Sequence, residues 1–233
     1  MVKVTTINTI EITSICNNKC AYCPAKDQHK YREVGHMELK TFETALESVL
    51  NFSRHGTQRE LNLFGVGEPT LHPYLLDFVK LARKVLPFKQ IIHLNTNGRT
   101  MTKELAYKLK HAGMTSMDVT VHDGYHKQAA ETIRIFSELA IPFRVSIDPV
   151  IMPNNWAGQV DWFPPKYESP CPWIGRGQVM IMSNGDITRC CIDAFATGVM
   201  GNILKDNIQG MNVTSFALCS KCHHTTPSSI LQS

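Results

Sequence analysis

Three cysteines near the N-terminus have the spacing of an iron–sulfur ligand set. Cys16, Cys20 and Cys23 form a C-x3-C-x2-C pattern within the segment EITSICNNKCAYCP. Three thiolates can hold three irons of a [4Fe-4S] cube, which leaves the fourth iron open to a substrate or cofactor. A structural zinc ion prefers four closed ligands, and His29 is the candidate for the fourth. The spacing favours a catalytic cluster and leaves zinc as the alternative.

The C-terminal part of the chain carries five further cysteines: Cys171, Cys190, Cys191, Cys219 and Cys222. Four thiolates can ligate a second [4Fe-4S] cluster completely. Four cysteines, or Cys219 and Cys222 with His223 or His224, would also satisfy tetrahedral zinc. The N-terminus lacks the apolar block of a signal peptide, which weighs against the disulfides of a secreted protein. Metal or cluster ligation therefore fits these cysteines better than disulfide bonds.

Alternating strand-like and helix-like segments must position the cysteines. Apolar and β-branched runs predict strands at 7–13, 61–66, 91–96, 116–122 and 143–150. Helical spacing of apolar residues predicts helices at 38–53, 74–86, 102–113 and 126–140. From the second strand on, the strands recur every 25 to 30 residues or so, about the size of one βαβ unit. This alternation predicts a parallel sheet with right-handed crossovers.

The number of predicted units indicates an open barrel. Five strands and four helices are predicted before residue 150, whereas a closed eight-fold barrel takes about 250 residues. We therefore expect an α/β fold, a partial parallel (β/α) barrel, over residues 1–150. Ligand sites of such folds lie at the carboxyl ends of the strands. Since Cys16 directly follows the first predicted strand, the first cysteines lie where chemistry is expected.

The pattern changes after residue 150. Residues 151–175 are irregular and rich in proline, which predicts a linker. The segment QVMIMSNGDITRCC (178–191) has two strand-like runs around an Asn-Gly pair, a strong hairpin signal. Residues 206–217 are compatible with a short helix. We expect residues 151–233 to form the linker and a small β-hairpin/helix iron–sulfur domain.

Composition and charge exclude some classes of protein. The 233 residues carry a formal net charge of +4 without a long basic run, which gives little support to nucleic-acid binding. No stretch of about 18 apolar residues predicts a membrane span. We expect a cytoplasmic protein.

The first cysteine pattern resembles the signature CxxxCxΦC of the radical S-adenosylmethionine (SAM) superfamily, in which Φ is aromatic. Cys16, Cys20, Tyr22 and Cys23 match it, and Pro24 follows. The resemblance implies that the open iron binds the amino and carboxylate groups of SAM and that Tyr22 lies near the adenine. It also implies cleavage of SAM to a 5′-deoxyadenosyl radical, which takes hydrogen from a substrate. A flavodoxin- or ferredoxin-type protein is the expected electron donor.

Later segments resemble the SAM-binding segments of the same superfamily. FGVGEPTLHP (64–73) is similar to the GGEP segment, with Val66 in place of the first glycine, and LNTNG (94–98) is similar to the third-strand segment. The sixth-strand adenine motif GxIxGxxI is not found, in keeping with the shortened core. The resemblance implies SAM contacts from these residues: Gly67, Glu68, Pro69, Asn95, Asn97, Thr120 and Arg144.

The C-terminal cysteines resemble the auxiliary-cluster domains called SPASM and Twitch. Their opening pattern C-x13-G-x4-C is matched by Cys171, Gly185 and Cys190. A single Twitch-like [4Fe-4S] cluster would then have four ligands: Cys171, Cys190, Cys219 and Cys222. Cys191 would be spare, although it could exchange roles with Cys190. In architecture the chain resembles the short radical SAM dehydrogenase of aminoglycoside biosynthesis.

These resemblances lead to a functional hypothesis and two alternatives. The leading hypothesis is an enzyme that uses SAM and two [4Fe-4S] clusters to oxidise or cross-link a peptide or a small polar metabolite. The first alternative is an epimerase in which a cysteine thiol, Cys191, returns a hydrogen atom. The second is a non-catalytic iron–sulfur or zinc module. The sequence does not name the substrate or the oligomeric state.

Overall fold

The computed structural model describes residues 1–147, 155–161, 169–222 and 224–225. Within these residues there are twelve strands, some of only two residues, and five α-helices. The strands are β1 (Val2–Lys3), β2 (Thr6–Ile10), β3 (Glu60–Asn62), β4 (Ile91–Thr96), β5 (Ser116–Val121), β6 (Val145–Ile147), β7 (Ser169–Pro170), β8 (Gln178–Ile181), β9 (Asp186–Thr188), β10 (Val199–Asn202), β11 (Asn212–Val213) and β12 (His224–Thr225). The helices are α1 (Leu39–Arg54), α2 (Leu75–Val85), α3 (Lys103–Ala112), α4 (His126–Glu138) and α5 (Pro172–Gly175).

The predicted partial barrel is present. Strands β2 to β6 are parallel neighbours in sequence order and alternate with helices α1 to α4. The first strand is shorter than the predicted 7–13, and the last is described only as far as Ile147. Side chains alternate across each strand, so on β4 the core residues Ile92 and Leu94 alternate with His93 and Asn95. The core lies between the helices and the sheet.

The four long helices each bury one apolar face against this sheet. On α1 this face includes Phe42, Leu46 and Val49, and Phe42 stacks on Phe78 of α2 with ring centroids 4.1 Å apart. Helix α3 begins after Thr102, whose hydroxyl caps it by accepting a hydrogen bond from the Leu105 amide. No helix in the described ranges is long and apolar enough to cross a membrane.

The C-terminal hairpin extends the barrel sheet. Strand β8 pairs in parallel with β2, and β9 and β10 follow antiparallel, so the eight-stranded order is β10-β9-β8-β2-β3-β4-β5-β6. The hairpin turn carries Gly185 with φ of 89°, a value that favours glycine. The hairpin that leads to Cys190 is thereby attached directly to β2, the first strand of the barrel. The division at residue 150 stays a prediction, since residues 148–154 lie outside the described ranges.

The helix expected at 206–217 is not formed. The chain there makes a short 3-10 turn at Ile208–Gly210, where the Asn207 side chain accepts a hydrogen bond from the Gln209 amide. It then continues as β11, which pairs with β1. The polar run at 205–207 and Gly210 favour a turn over a helix, and pairing with the N-terminal strand satisfies the backbone that follows.

Candidate active site

A cavity of about 310 Å³ opens at the carboxyl ends of β2 to β5. We call it the main cavity. It brings together ten of the residues predicted to serve the reaction: Cys16, Cys20, Tyr22, Cys23, Gly67, Glu68, Asn95, Asn97, Thr120 and Cys191. The carboxyl-end position agrees with the general placement of ligand sites in parallel α/β folds.

Two predicted contacts lie elsewhere. The Arg144 guanidinium pairs with the Asp118 carboxylate at 2.9 Å, and Arg144 does not line the main cavity. Arg144 precedes β6, whereas the cavity lies at the other end of the strands. Pro69 begins a 3-10 turn behind Glu68 and is buried outside the cavity wall. His29, the alternative zinc ligand, is exposed and also lies outside the described cavity wall.

The segment carrying the first three cysteines is held in place by the Gly67–Glu68 turn. The Glu68 amide donates a hydrogen bond to the Ile15 carbonyl at 2.8 Å. A Cβ atom at Gly67 would overlap the carbonyl oxygen of Thr13 and lie 2.8 Å from that of Ile15. Only glycine allows the two backbones to approach this closely. Gly67 therefore has a packing reason to be glycine, because it lies against Ile15, the residue directly before Cys16.

The Glu68 carboxylate organises the neighbouring strand end. Its Oε1 accepts hydrogen bonds from the Thr70 amide and from the hydroxyls of Thr70 and Thr96, and its Oε2 accepts one from the Asn97 amide at 2.7 Å. Burial raises the pKa of Glu68, and these four hydrogen bonds oppose the rise. Glu68 thus fixes Asn97 at the cavity edge.

Asn97 and Arg99 bind the cysteine loop from the end of β4. The Asn97 side-chain amide donates to the Asn17 side-chain carbonyl at 2.8 Å. The Arg99 guanidinium donates to the Asn17 backbone carbonyl and, at 3.0 Å, to the Asn18 side chain, and it lies over the Tyr125 ring. Sequence reasoning missed Arg99, although its place directly after LNTNG was a usable signal.

Tyr22 and His122 form a polar pair on the cavity wall. The Tyr22 hydroxyl and His122 Nδ1 are 2.9 Å apart, and the two rings are stacked. Burial lowers the pKa of His122 to about 4, so the imidazole is neutral at neutral pH. On β5, the Thr120 hydroxyl, which precedes His122 on the same side of the strand, donates a hydrogen bond to the Asn95 side-chain carbonyl at 3.0 Å. This part of the wall is polar and uncharged.

The second cysteine set surrounds a separate small space. Cys171, Cys190, Cys219 and Cys222 all line a cavity of about 20 Å³, which we call the thiol cavity. Burial raises the pKa of Cys219 and of Cys222. A hydrogen bond with Cys191 is the largest contribution raising the pKa of Cys190, and burial adds to it. All eight cysteines are outside disulfide bonds.

The two adjacent cysteines face different cavities. Cys190 lines the thiol cavity and Cys191 lines the main cavity, while Ile192 contributes to both walls. The following residue, Asp193, is fully buried, and its carboxylate accepts hydrogen bonds from Thr188, Thr197 and Gly198. The segment 190–192 is therefore the partition between the two cavities.

The donor sets fit iron–sulfur clusters chemically. Three thiols outside disulfide bonds, beside a large cavity, leave room for a further ligand on the fourth iron, and four thiols around a small apolar cavity can close a cluster. His224 also lines the thiol cavity, whereas His223 lies outside the described residues. Within the described ranges, no three His, Cys, Asp or Glu side chains meet around one metal-ion position.

Comparison with known proteins identifies relatives of this arrangement. The model of the radical SAM superfamily matches residues 10–155, more than half of the chain. An S-adenosyl-L-methionine-dependent 2-deoxy-scyllo-inosamine dehydrogenase of Niallia circulans is 26% identical over 217 residues, which are 89% of this chain and 82% of that protein. A tungsten-containing aldehyde ferredoxin oxidoreductase cofactor-modifying protein of Pyrococcus furiosus is 33% identical over 114 residues, 47% of this chain but only 30% of that relative.

A solved structure has the same fold. The crystal structure of BtrN in complex with AdoMet and 2-DOIA superposes with a TM-score of 0.75 at 24% sequence identity. The superposition covers 91% of this chain and 84% of that one. The partial barrel expected from the sequence is thereby confirmed.

Proposed function

Because the chain belongs to the radical SAM superfamily, we propose that it oxidises a hydroxyl-bearing carbon of a small polar molecule. It is a radical SAM enzyme, which contradicts the alternative of a non-catalytic module. When bound, the first cluster and SAM supply the 5′-deoxyadenosyl radical that abstracts hydrogen from the substrate. A flavodoxin- or ferredoxin-type protein of the cytoplasm is the proposed electron donor.

The chain's own residues have distinct proposed roles in this reaction. Cys16, Cys20 and Cys23 would ligate the first cluster, and Tyr22 would pack near the adenine. The Gly67–Glu68 turn would hold the ligating loop, since the Glu68 amide binds the Ile15 carbonyl. The remaining proposed SAM contacts on the cavity wall are Asn95, Asn97 and Thr120. Arg144 is left out of this set because its guanidinium pairs with Asp118.

The observation that carries the oxidation proposal is the shared wall between the two cavities. Oxidation of a substrate radical releases one electron and one proton, and the electron needs an acceptor near the substrate. An auxiliary [4Fe-4S] cluster on Cys171, Cys190, Cys219 and Cys222 would lie behind segment 190–192, which also lines the main cavity. The four thiols therefore support an electron acceptor adjacent to the place where the substrate binds.

The substrate class follows from the polar wall of the main cavity. Its described residues include the Asn95–Thr120 pair and a neutral His122 but no lysine or arginine. Such a wall suits uncharged hydroxyl groups, which both donate and accept hydrogen bonds. The Niallia circulans relative is named for 2-deoxy-scyllo-inosamine, so this aminocyclitol and related polyols are the first candidates, with peptides as a second class.

The test is an anaerobic assay of the reconstituted enzyme. The chain is incubated with SAM, a reduced flavodoxin and 2-deoxy-scyllo-inosamine or other cyclitols, and 5′-deoxyadenosine and carbonyl product are quantified. We expect equal amounts of both, and transfer of deuterium from a labelled carbon into 5′-deoxyadenosine. Stimulated 5′-deoxyadenosine formation with a product of unchanged mass would contradict oxidation. Zinc in place of iron in the anaerobically purified chain would contradict both cluster assignments.

One observation favours epimerisation as a second candidate. The Cys191 thiol lines the main cavity, where it could return a hydrogen atom to a substrate radical from the opposite face. In that case the product keeps the mass of the substrate but acquires solvent deuterium in D2O. A Cys191→Ala variant would then abstract hydrogen without forming product. Under the oxidation proposal the same variant forms a carbonyl product.

A further inference from the structure

A buried ion pair lies at the base of the loop that carries the first cysteine set. The Arg32 guanidinium donates to both carboxylate oxygens of Glu11, at 2.6 and 2.9 Å. Only 4% of the Arg32 side chain and 0% of the Glu11 side chain are exposed. Burial disfavours the charged guanidinium, but the attraction of Glu11 outweighs it and raises the pKa of Arg32. Neither residue was among those predicted to serve the site.

Glu11 connects three neighbouring strand ends. It directly follows β2, and its carboxylate accepts hydrogen bonds from the amide of Val66, beyond β3, at 3.0 Å and from that of Ser183, beyond β8, at 3.3 Å. Strands β3 and β8 are the two sheet neighbours of β2. Val66 belongs to the segment that holds the cysteine loop, and Ser183 belongs to the hairpin that leads to Cys190. One carboxylate therefore touches the supports of both cysteine sets.

Arg32 connects the returning arm of the cysteine loop to this carboxylate. The loop leaves the sheet at Ser14 and returns at Gly35, whose carbonyl accepts the Ser14 amide hydrogen bond at 3.0 Å. Inside it, Gln28 accepts a hydrogen bond from Arg32 at 2.7 Å and donates one to the Ser14 carbonyl at 2.5 Å. The guanidinium thus ties residues on both sides of Cys16–Cys23 to the sheet.

The neighbouring residue makes a second link to the C-terminal segment. The Tyr31 ring stacks on Phe195 with centroids 4.1 Å apart. Phe195 in turn is held near the cavity partition, because its amide donates to the side-chain carbonyl of Gln159 and the Gln159 amide donates to the Ile192 carbonyl. Residues 28–32 therefore contact the segments that carry both cysteine sets.

We propose that Arg32 is a positioning residue, which through Glu11 fixes the first-cluster loop against the C-terminal hairpin and so sets the geometry in which SAM is cleaved. This rests on the first-cluster assignment in the proposed function but requires no substrate. A bidentate guanidinium–carboxylate pair fixes direction as well as distance. The four hydrogen bonds that Glu11 accepts leave it no freedom to turn without breaking one of them.

The test compares Arg32→Met and Arg32→Lys with a matched control in anaerobically reconstituted protein. Lys30→Met removes a cation from the same loop, but Lys30 is exposed and pairs with Asp27 at the surface. For each protein we measure iron content, the change that SAM causes in the electron paramagnetic resonance spectrum of the reduced first cluster, and substrate-free SAM cleavage. The auxiliary-cluster signal reports the folding of the C-terminal part.

We expect Arg32→Met to retain the auxiliary signal, to lose the SAM-induced spectral change and to cleave SAM about 10- to 100-fold more slowly, as for misplaced reacting groups. Arg32→Lys keeps the buried charge and should fold even if Arg32→Met does not, with an intermediate loss of both properties. Lys30→Met should match the parent. If both Arg32 variants bind and cleave SAM like the parent, the inference is wrong and the proposed function stands. A parent chain that binds no iron would overturn both.

Discussion

Asp193 is the buried acid on which the wall between the two cavities depends, and its replacement by alanine should affect both stability and iron content. Its Oδ2 accepts hydrogen bonds from the Thr188 hydroxyl at 2.6 Å and the Gly198 amide at 2.8 Å. Its Oδ1 accepts from the amide and hydroxyl of Thr197, at 2.9 and 2.8 Å. The side chain thus closes the turn between β9 and β10, and the Asp193 amide donates to the Cys190 carbonyl.

The magnitude follows from these four contacts. A hydrogen bond to a charged group contributes roughly 1.5–3 kcal/mol, and each buried donor left without a partner costs about 1–3 kcal/mol. Since the four contacts are not additive and the turn can relax, we expect Asp193→Ala to destabilise the protein by about 3–5 kcal/mol. For a chain of this size that corresponds to a fall in Tm of about 6–20 °C.

The measurement is a thermal melt of anaerobically purified protein together with iron analysis. Asp206→Ala is the matched control, because Asp206 is exposed and its carboxylate accepts a hydrogen bond from the Asn202 amide in the turn after β10. We expect the free energy of unfolding of the control to lie within about 1 kcal/mol of that of the parent. Asp193→Ala should lose auxiliary iron and keep first-site iron. A Tm equal to that of the control with full iron would refute the reasoning.

Three further predictions test the site by substitution. Gly67→Ala should displace the Thr13–Ile15 backbone and lower first-site iron, whereas Gly35→Ala, which meets open space, should not. Cys190→Ala should lose auxiliary iron and Cys191→Ala should keep it, as iron analysis will show. Because burial holds the pKa of His122 near 4, below the unfolded value, its contribution to stability is complete above about pH 6.5 and is lost as the pH falls toward 4. His122→Phe should therefore reduce the loss of Tm between pH 7 and pH 5.

The parts of the fold that the sequence predicts are those specified by local patterns. The five core strands and four helices follow from period-2 and period-3.6 apolar spacing, and each overlaps its expected range, although β2 and β3 end before the predicted residues 13 and 66. The C-x3-C-x2-C spacing also acts locally, since all three thiols lie on one loop after β2. The helix expected at 206–217 failed because pairing of β11 with β1, some 210 residues away in sequence, outweighs local propensity.

The contacts that complete the site are non-local and could not be read from a pattern. Arg32 and Glu11 are 21 residues apart, and Glu11 and Ser183 are 172 apart. A lone arginine or glutamate in a sequence is most often a solvated surface residue. Arg144 shows the converse: the resemblance implied a SAM contact from it, whereas its guanidinium pairs with Asp118 on the neighbouring strand at 2.9 Å. Motifs locate the ligating atoms, whereas the charges that hold them depend on the assembled sheet.

The adjacent cysteines Cys190 and Cys191 illustrate how the fold separates two residues that spacing alone does not distinguish. The two cysteines follow β9 at a bend and a turn rather than on an extended strand, and a hydrogen bond joins their side chains. Strand β9 pairs with β8 in the register that places Ile187 opposite Ile181 and Thr188 opposite Met180. With that register, Cys190 faces the thiol cavity and Cys191 faces the main cavity. Asp193 holds the turn that follows, because its carboxylate binds Thr188 on one side of the turn and Gly198 on the other, while its amide donates to the Cys190 carbonyl.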